Sequence, residues 1–263
     1  MSQLFRISGA FAVAVFLLQP YGGIAQSQAK TDKSAPLIIG FLGGFVHTDD
    51  LRHPEVKIAE SLQAGYGKYA RVEVFQNRQL EEARLLALNW IDGDRDGKLS
   101  EEEKRGARIV LFGHSWGASA VVSLARELER DGVPVLLTIQ VDSISKHGAE
   151  DSIIPANVAE AANFYQPEGL LHGRSKIRAA DASRTRILGN FRLQYRKQPP
   201  ECRNYPWYDR LLFKGHTAIE CDPRVWSRVQ ELIQMQLRPA LPPAMTKLQE
   251  RTFASSPAVA IPR

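Results

Sequence analysis

The sequence predicts an α/β fold, a mostly parallel sheet with helices on both faces in a three-layer sandwich. Three observations lead there. Short apolar runs bounded by glycine read as buried strands, the segments between them repeat apolar residues at helical spacing, and the two kinds alternate singly along the chain. That order needs crossover connections, and so a parallel sheet covered on both sides. At 263 residues, 44% hydrophobic and 24% charged, the chain can bury one substantial core. Its formal charge of +5 comes without any Lys or Arg run interleaved with aromatics, so no nucleic-acid partner is expected.

The elements follow in order. Residues 36–42, Pro-Leu-Ile-Ile-Gly-Phe-Leu, form a short apolar strand that ends at Gly43-Gly44. A helix is expected from Pro54, since proline at a helix start loses no hydrogen bond. Arg71 to Phe75 is a second strand, and Leu80, Ala83, Leu86, Ala87, Trp90 and Ile91 space a helix over 79–91. Arg108 to Phe112 is a strand that runs into Gly113-His-Ser-Trp-Gly117, followed by a helix rich in small residues from Ala118 to Arg130. Pro134 to Val141 is the next strand, ending at Asp142. Beyond it a helix is expected over 153–165, a strand containing Gly189 within 185–196, an ordered loop over 197–214 on account of Pro199, Pro200 and Pro206, a closing helix over 225–237 and a frayed tail over 238–263.

The N-terminus reads as an export signal over 1–25: Arg6, an apolar run from Ile7 to Leu18, then Gly23 and Ala25 at signal-peptidase spacing. The apolar run falls short of the ~20 residues a membrane span needs. Residues 26–35 are a polar linker, and the mature protein is expected in a periplasm or outside the cell, with no stable membrane span. In an oxidising compartment the two cysteines, Cys202 and Cys221, are expected to join.

Gly113-His-Ser-Trp-Gly117 has the pattern of a nucleophile elbow. A serine hydroxyl needs a base to take its proton and donors to hold the oxyanion, and the strained turn lifts the Ser115 side chain above the sheet edge while its glycines let strand and helix approach. The five-residue pattern arises by chance in roughly one chain in ten of this length, so its position between an apolar strand and a small-residue helix carries the weight. With that context the segment 36–237 resembles an α/β-hydrolase of the esterase, lipase or thioesterase kind. The resemblance implies a triad in the order Ser, acid, His, with an acid at the carboxyl end of a later strand. Asp142 meets that requirement, as in thioesterase domains, with Asp209 and Glu201 as alternatives and a turn-capping role as the competing reading of Asp142. Of His147, His172 and His216, the resemblance favours His216, in Lys214-Gly-His-Thr217 before the closing helix. It also implies an oxyanion hole from the N–H of Trp116 and of Gly44 or Phe45, although Gly43-Gly44 also serves as a plain turn. Residues 143–185 are expected to cover the site. The activity implied is hydrolysis of a small-molecule acyl ester or thioester through an acyl-Ser115 intermediate without an organic cofactor. An acyltransferase, and a non-catalytic calcium-binding or interaction protein on this scaffold, stay open.

Asp92-Gly-Asp-Arg-Asp-Gly-Lys-Leu-Ser-Glu-Glu-Glu103 matches a twelve-residue EF-hand loop. Asp92, Asp94 and Asp96 stand at positions 1, 3 and 5, Gly97 at 6, the Lys98 carbonyl at 7, Ser100 at 9 and Glu103 at 12, so a structural Ca2+ is expected. The competing reading is a solvated acidic loop in which Ser100 and Glu103 form a helix capping box.

Overall fold

The structure is a computed structural model that describes residues 35–145 and 148–255. The expected signal segment, all of the linker but its last residue, His147, and the last residues of the tail lie outside the described residues. Six strands make the main sheet: β1 (Leu37–Leu42), β2 (Arg71–Gln76), β3 (Ile109–His114), β4 (Val135–Val141), β6 (Val158–Tyr165) and β8 (Arg186–Arg192). Two short strands, β5 (Ile153–Ile154) and β7 (Arg178–Ala179), pair with each other apart from it. The order across the main sheet is β2-β1-β3-β4-β6-β8, and every neighbouring pair runs parallel. Eight α-helices and one 3-10 turn (Arg238–Ala240) complete the described chain: α1 (Pro54–Tyr66), α2 (Leu80–Ile91), α3 (Glu101–Gly106), α4 (Trp116–Arg130), α5 (Trp207–Leu212), α6 (Lys214–Cys221), α7 (Pro223–Leu237) and α8 (Pro243–Ser255).

Alternation along the strands divides the apolar residues between two cores. Ile38, Val110, Phe112, Leu137 and Ile139 face one way and pack with Ile58 and Leu62 of α1 and Trp226, Val229 and Ile233 of α7. Leu37, Ile39, Ile109 and Leu111 face the other way, against Ala83 and Ala87 of α2 and Val121, Leu124 and Leu128 of α4. β1 and β3 are therefore apolar on both faces and read as unbroken hydrophobic runs, whereas the edge strand β2 alternates Arg71, Val72, Glu73 and Val74. The three-layer α/β architecture is the one expected, and among the described residues no helix is long and apolar enough to cross a membrane.

The departures lie in the C-terminal half. The helix expected over 153–165 is β5 followed by β6, and β6 is an interior strand between β4 and β8. Its Ala161 and Ala162 favour helix intrinsically, but both are fully buried in the sheet, and tertiary placement overrides so small a preference. Residues 143–185 are therefore not wholly a cover, because β6 belongs to the sheet. The loop expected over 197–214 contains α5, which starts at Trp207 directly after Pro206, and the tail forms α8 after Pro242 instead of fraying.

Cys202 and Cys221 form a disulfide across 19 positions that ties the loop before α5 to the end of α6. A loop of that length removes about 3 kcal/mol of unfolded-state entropy. The double substitution Cys202→Ser with Cys221→Ser is expected to lower the unfolding free energy by about that amount, read as a lower urea midpoint with little change in slope.

Candidate active site

All loops that matter leave the carboxyl ends of the parallel strands. Register aligns His114 with Val141 and Val141 with Phe164, so the ends of β3, β4 and β6 lie side by side. Ser115 follows β3 with φ 56° and ψ −125°, a strained conformation for a non-glycine residue, held because its N–H donates to the Val141 carbonyl at 3.0 Å and its own carbonyl accepts from the Ile144 N–H at 3.2 Å. The flanking glycines are needed for space. A Cβ at Gly117 would stand 2.1 Å from the Phe41 carbonyl oxygen, and one at Gly113 would stand 2.7 Å from the Gly117 backbone.

Asp142 leaves β4 with φ 45° and is fully buried. Its N–H donates to the Phe164 carbonyl at 2.7 Å, continuing the sheet by one residue. Its Oδ1 accepts from the Gly173 N–H at 2.7 Å, and its Oδ2 accepts from Gln166 Nε2 at 2.9 Å. The same Oδ2 lies 2.7 Å from His216 Nδ1, and His216 Nε2 lies 2.9 Å from Ser115 Oγ. A relay of serine, imidazole and carboxylate thus connects β3, α6 and β4. Asp142 assigns the tautomer: an aspartate that only accepts requires the proton on Nδ1, leaving Nε2 free to accept from Ser115.

The alternatives stand elsewhere. Glu201 is exposed and pairs with Arg203 at 3.0 Å, Asp209 sits on α5, and His172 is exposed. On the other side of Ser115, Gly43 packs so closely that an added Cβ would lie 3.0 Å from the Ser115 Cβ. Gly44 has φ 48°, and Asn77 Nδ2 holds the turn by donating to the carbonyls of Leu42 at 3.1 Å and Gly44 at 2.5 Å. The Phe45 ring stands edge-on to Trp116 with centroids 5.6 Å apart. The Trp116 N–H belongs to the first residue of α4, where the helix dipole favours a developing negative charge.

Sequence reasoning does not find the residues that hold the relay. Gln166 directly follows β6 and Gly173 lies in the same loop, where a Cβ would come within 2.4 Å of the Asp142 backbone. Neither stands near Asp142 in sequence, and their only signal is a polar residue and a glycine in a stretch expected to be a cover. Nor does it find His114, which is buried and stacks on His216 with ring centroids 4.5 Å apart. Burial pulls the His114 pKa down to about 4, so a neutral imidazole backs His216.

In the acidic loop, Asp92, Asp94 and Asp96 each offer a carboxylate oxygen within 4.8 Å of the others. Asp92 accepts from the N–H groups of Arg95 at 2.8 Å and Gly97 at 3.0 Å, and Gly97 takes φ 78°. Glu103 closes the loop: Oε1 accepts from the Gly93 N–H at 2.7 Å and Oε2 from the Ser100 N–H at 2.9 Å, while its own N–H meets Ser100 Oγ at 3.3 Å. The capping box is formed, and it leaves the three Asp carboxylates gathered. The Ser100 and Gly93 hydrogen bonds hold the Glu103 carboxyl well below its usual range, at about 2.

No family model matches the sequence, and no curated protein matches it either. Among solved structures the chain is similar to human thioesterase 2, with a TM-score of 0.40 and 12% sequence identity over 79% of this chain and 98% of that one. A likeness of that strength carries no inference about activity.

Proposed function

We propose that the chain is an exported serine hydrolase that cleaves carboxylic esters or thioesters through an acyl-Ser115 intermediate. The observation that carries this reading is the hydrogen-bonded relay of Ser115, His216 and Asp142, at 2.9 and 2.7 Å, at the carboxyl edge of a parallel sheet. Ser115 Oγ attacks the acyl carbon while its proton passes to His216 Nε2, and Asp142 stabilises the imidazolium through Nδ1–H. The oxyanion that forms is held by the N–H of Trp116 and that of Gly44 or Phe45. Collapse breaks the carbon–oxygen or carbon–sulfur bond, and the leaving alcohol or thiol takes the proton from Nε2. Water then attacks the acyl carbon in the reverse sequence and frees the acid. Phe45, at 85% exposure and edge-on to Trp116 beside the nucleophile, offers apolar surface that suits an acyl group.

A fluorophosphonate probe tests the reading, followed by ester and thioester reporters of graded acyl length. Adduct on Ser115 with turnover supports hydrolysis. Transfer to an added alcohol in preference to water would make the enzyme an acyltransferase, and absence of adduct would leave a non-catalytic scaffold. Intact Met1 on the mature protein would refute export.

The acidic loop is proposed to bind one structural Ca2+ through Asp92, Asp94, Asp96, the Lys98 carbonyl, Ser100 and Glu103, fixing the connection from α2 into the strand that carries Ser115. What supports it is the clustering of three carboxylates around a backbone turn with Gly97 at positive φ. Saturating calcium is expected to raise the melting temperature by about 5–10 °C, and Asp94→Asn is expected to abolish the rise. An unchanged melt in the wild type would refute binding.

A further inference from the structure

Next to His114, the ring that stacks on His216, stand three side chains for which the proposed hydrolysis has no use. His53 precedes α1, Glu55 lies in the first turn of α1, and Glu220 lies on α6 one turn after His216. One donor atom from each falls within 4.8 Å of the others. His53 Nδ1 is 2.6 Å from Glu220 Oε1, and His114 Nδ1 lies 3.7 Å from that same oxygen. Glu55 is fully buried, and no side chain meets either of its carboxylate oxygens in hydrogen-bond geometry, the backbone N–H groups of Glu55 and His114 being the donors that approach them. A buried carboxyl group without a side-chain donor is costly because desolvation is not fully returned, and it needs an explanation.

We propose that His53, Glu55 and Glu220 bind a divalent transition-metal ion of the zinc class. One imidazole and two carboxylates are donor types that zinc takes at about 2.0–2.2 Å, and small side-chain rotations bring the three from their present separation to that shell. A bound cation gives the Glu55 oxygens a strong partner and offsets the repulsion between the buried Glu55 and Glu220 carboxyl groups. The other ring nitrogen of His53 also fits. Its Nε2 lies 3.7 Å from Asp50 Oδ2, and Asp50 is itself held by Arg52 at 2.5 Å. Metal-bound imidazoles characteristically present their second nitrogen to such a carboxylate. His114 Nδ1 or a water completes four-coordination. A cavity of about 310 Å³ lies next to the cluster, lined by Arg52, Pro54, Tyr205 and Cys221, the chain neighbours of the ligands together with the aromatic ring against His53.

The site clips the segment after β1 to α6, the helix that carries His216 and ends at the disulfide. It does not depend on Ser115 chemistry, so binding is measured without substrate. Untagged protein is stripped with chelator and titrated with zinc in excess calcium, which occupies the acidic loop. The wild type is expected to retain one zinc per chain after desalting and to melt about 5–10 °C higher at zinc a hundredfold above Kd. Glu55→Gln and Glu220→Gln are each expected to weaken binding at least tenfold, whereas Asp94→Asn retains zinc. Metal-free Glu55→Gln is expected to melt no lower than the metal-free wild type, since a buried carboxyl group repelled by Glu220 has been removed, so it decides the matter even if Glu220→Gln does not fold. No retained zinc in the wild type, wild-type affinity in Glu55→Gln, or loss of zinc only in Asp94→Asn would each overturn the proposal.

Discussion

Ser115→Ala and His216→Ala are each expected to lower kcat by about 10⁴-fold or more, and the double variant by little more than either alone. The relay acts as one unit. Without His216 the serine proton has no acceptor at 2.9 Å, and without Ser115 the imidazole has nothing to activate. Asp142→Asn is the more informative partner. Oδ2 accepts from both His216 Nδ1 and Gln166 Nε2 at 2.7 and 2.9 Å, while Oδ1 accepts from Gly173 N–H at 2.7 Å. An amide NH2 at either position meets a donor, so the asparagine must either repel Gly173 or force the proton of His216 onto Nε2. A loss of about 10⁴-fold in kcat, with fluorophosphonate labelling slowed in proportion and the melting temperature only modestly lower, is the expected pattern. Activity within tenfold of wild type in Asp142→Asn would move the acid role to another carboxylate.

Gly117→Ala is expected to destabilise the fold severely. Its Cβ would meet the Phe41 carbonyl oxygen at 2.1 Å, the Phe41 carbonyl carbon at 2.6 Å and the Leu42 carbonyl carbon at 2.9 Å. All three are backbone atoms of β1, a strand paired on both sides, so nothing yields by rotating a side chain. Either α4 lifts from the sheet or β1 shifts in register with β3, and both moves disturb Ser115. A loss of about 3 kcal/mol or more, or failure to fold, is expected from overpacking of this kind. Gly65→Ala on α1 provides the contrast, because nothing lies within 4 Å of the added methyl. There helix propensity alone acts, and a gain of about 0.5–1 kcal/mol is expected. Urea unfolding of the two variants beside the wild type measures both; equal midpoints for Gly117→Ala and wild type would show that strand and helix are not held at this spacing.

Local pattern makes the N-terminal half legible. β1, β3 and β4 are mostly apolar runs, β2 alternates, and the helices between them are helically spaced segments, so burial and propensity agree there. The strand that contains Ala159, Ala161 and Ala162 reads as helix because nothing local distinguishes a small-residue strand deep in a sheet from a helix. The elements α5 and α8 follow prolines that look like loop markers in the sequence and start helices in the structure.

In the candidate site, Ser115 is marked by glycines at fixed offsets, Asp142 by its place after a strand, and the cysteine pair by its number in a chain with an expected export signal. Those marks are local, and a linear chain displays them. The supports of the relay are not local: Gln166 and Gly173 reach Asp142 from 24 and 31 positions away, and Glu220 meets His53 across 167. Nothing in residue order reveals the desolvation of Glu55 or brings its carboxylate to Glu220. Only packing decides which polar groups are sealed from water together, and that decision turns an ordinary acidic residue in the first turn of α1 into the centre of a proposed metal site beside His114.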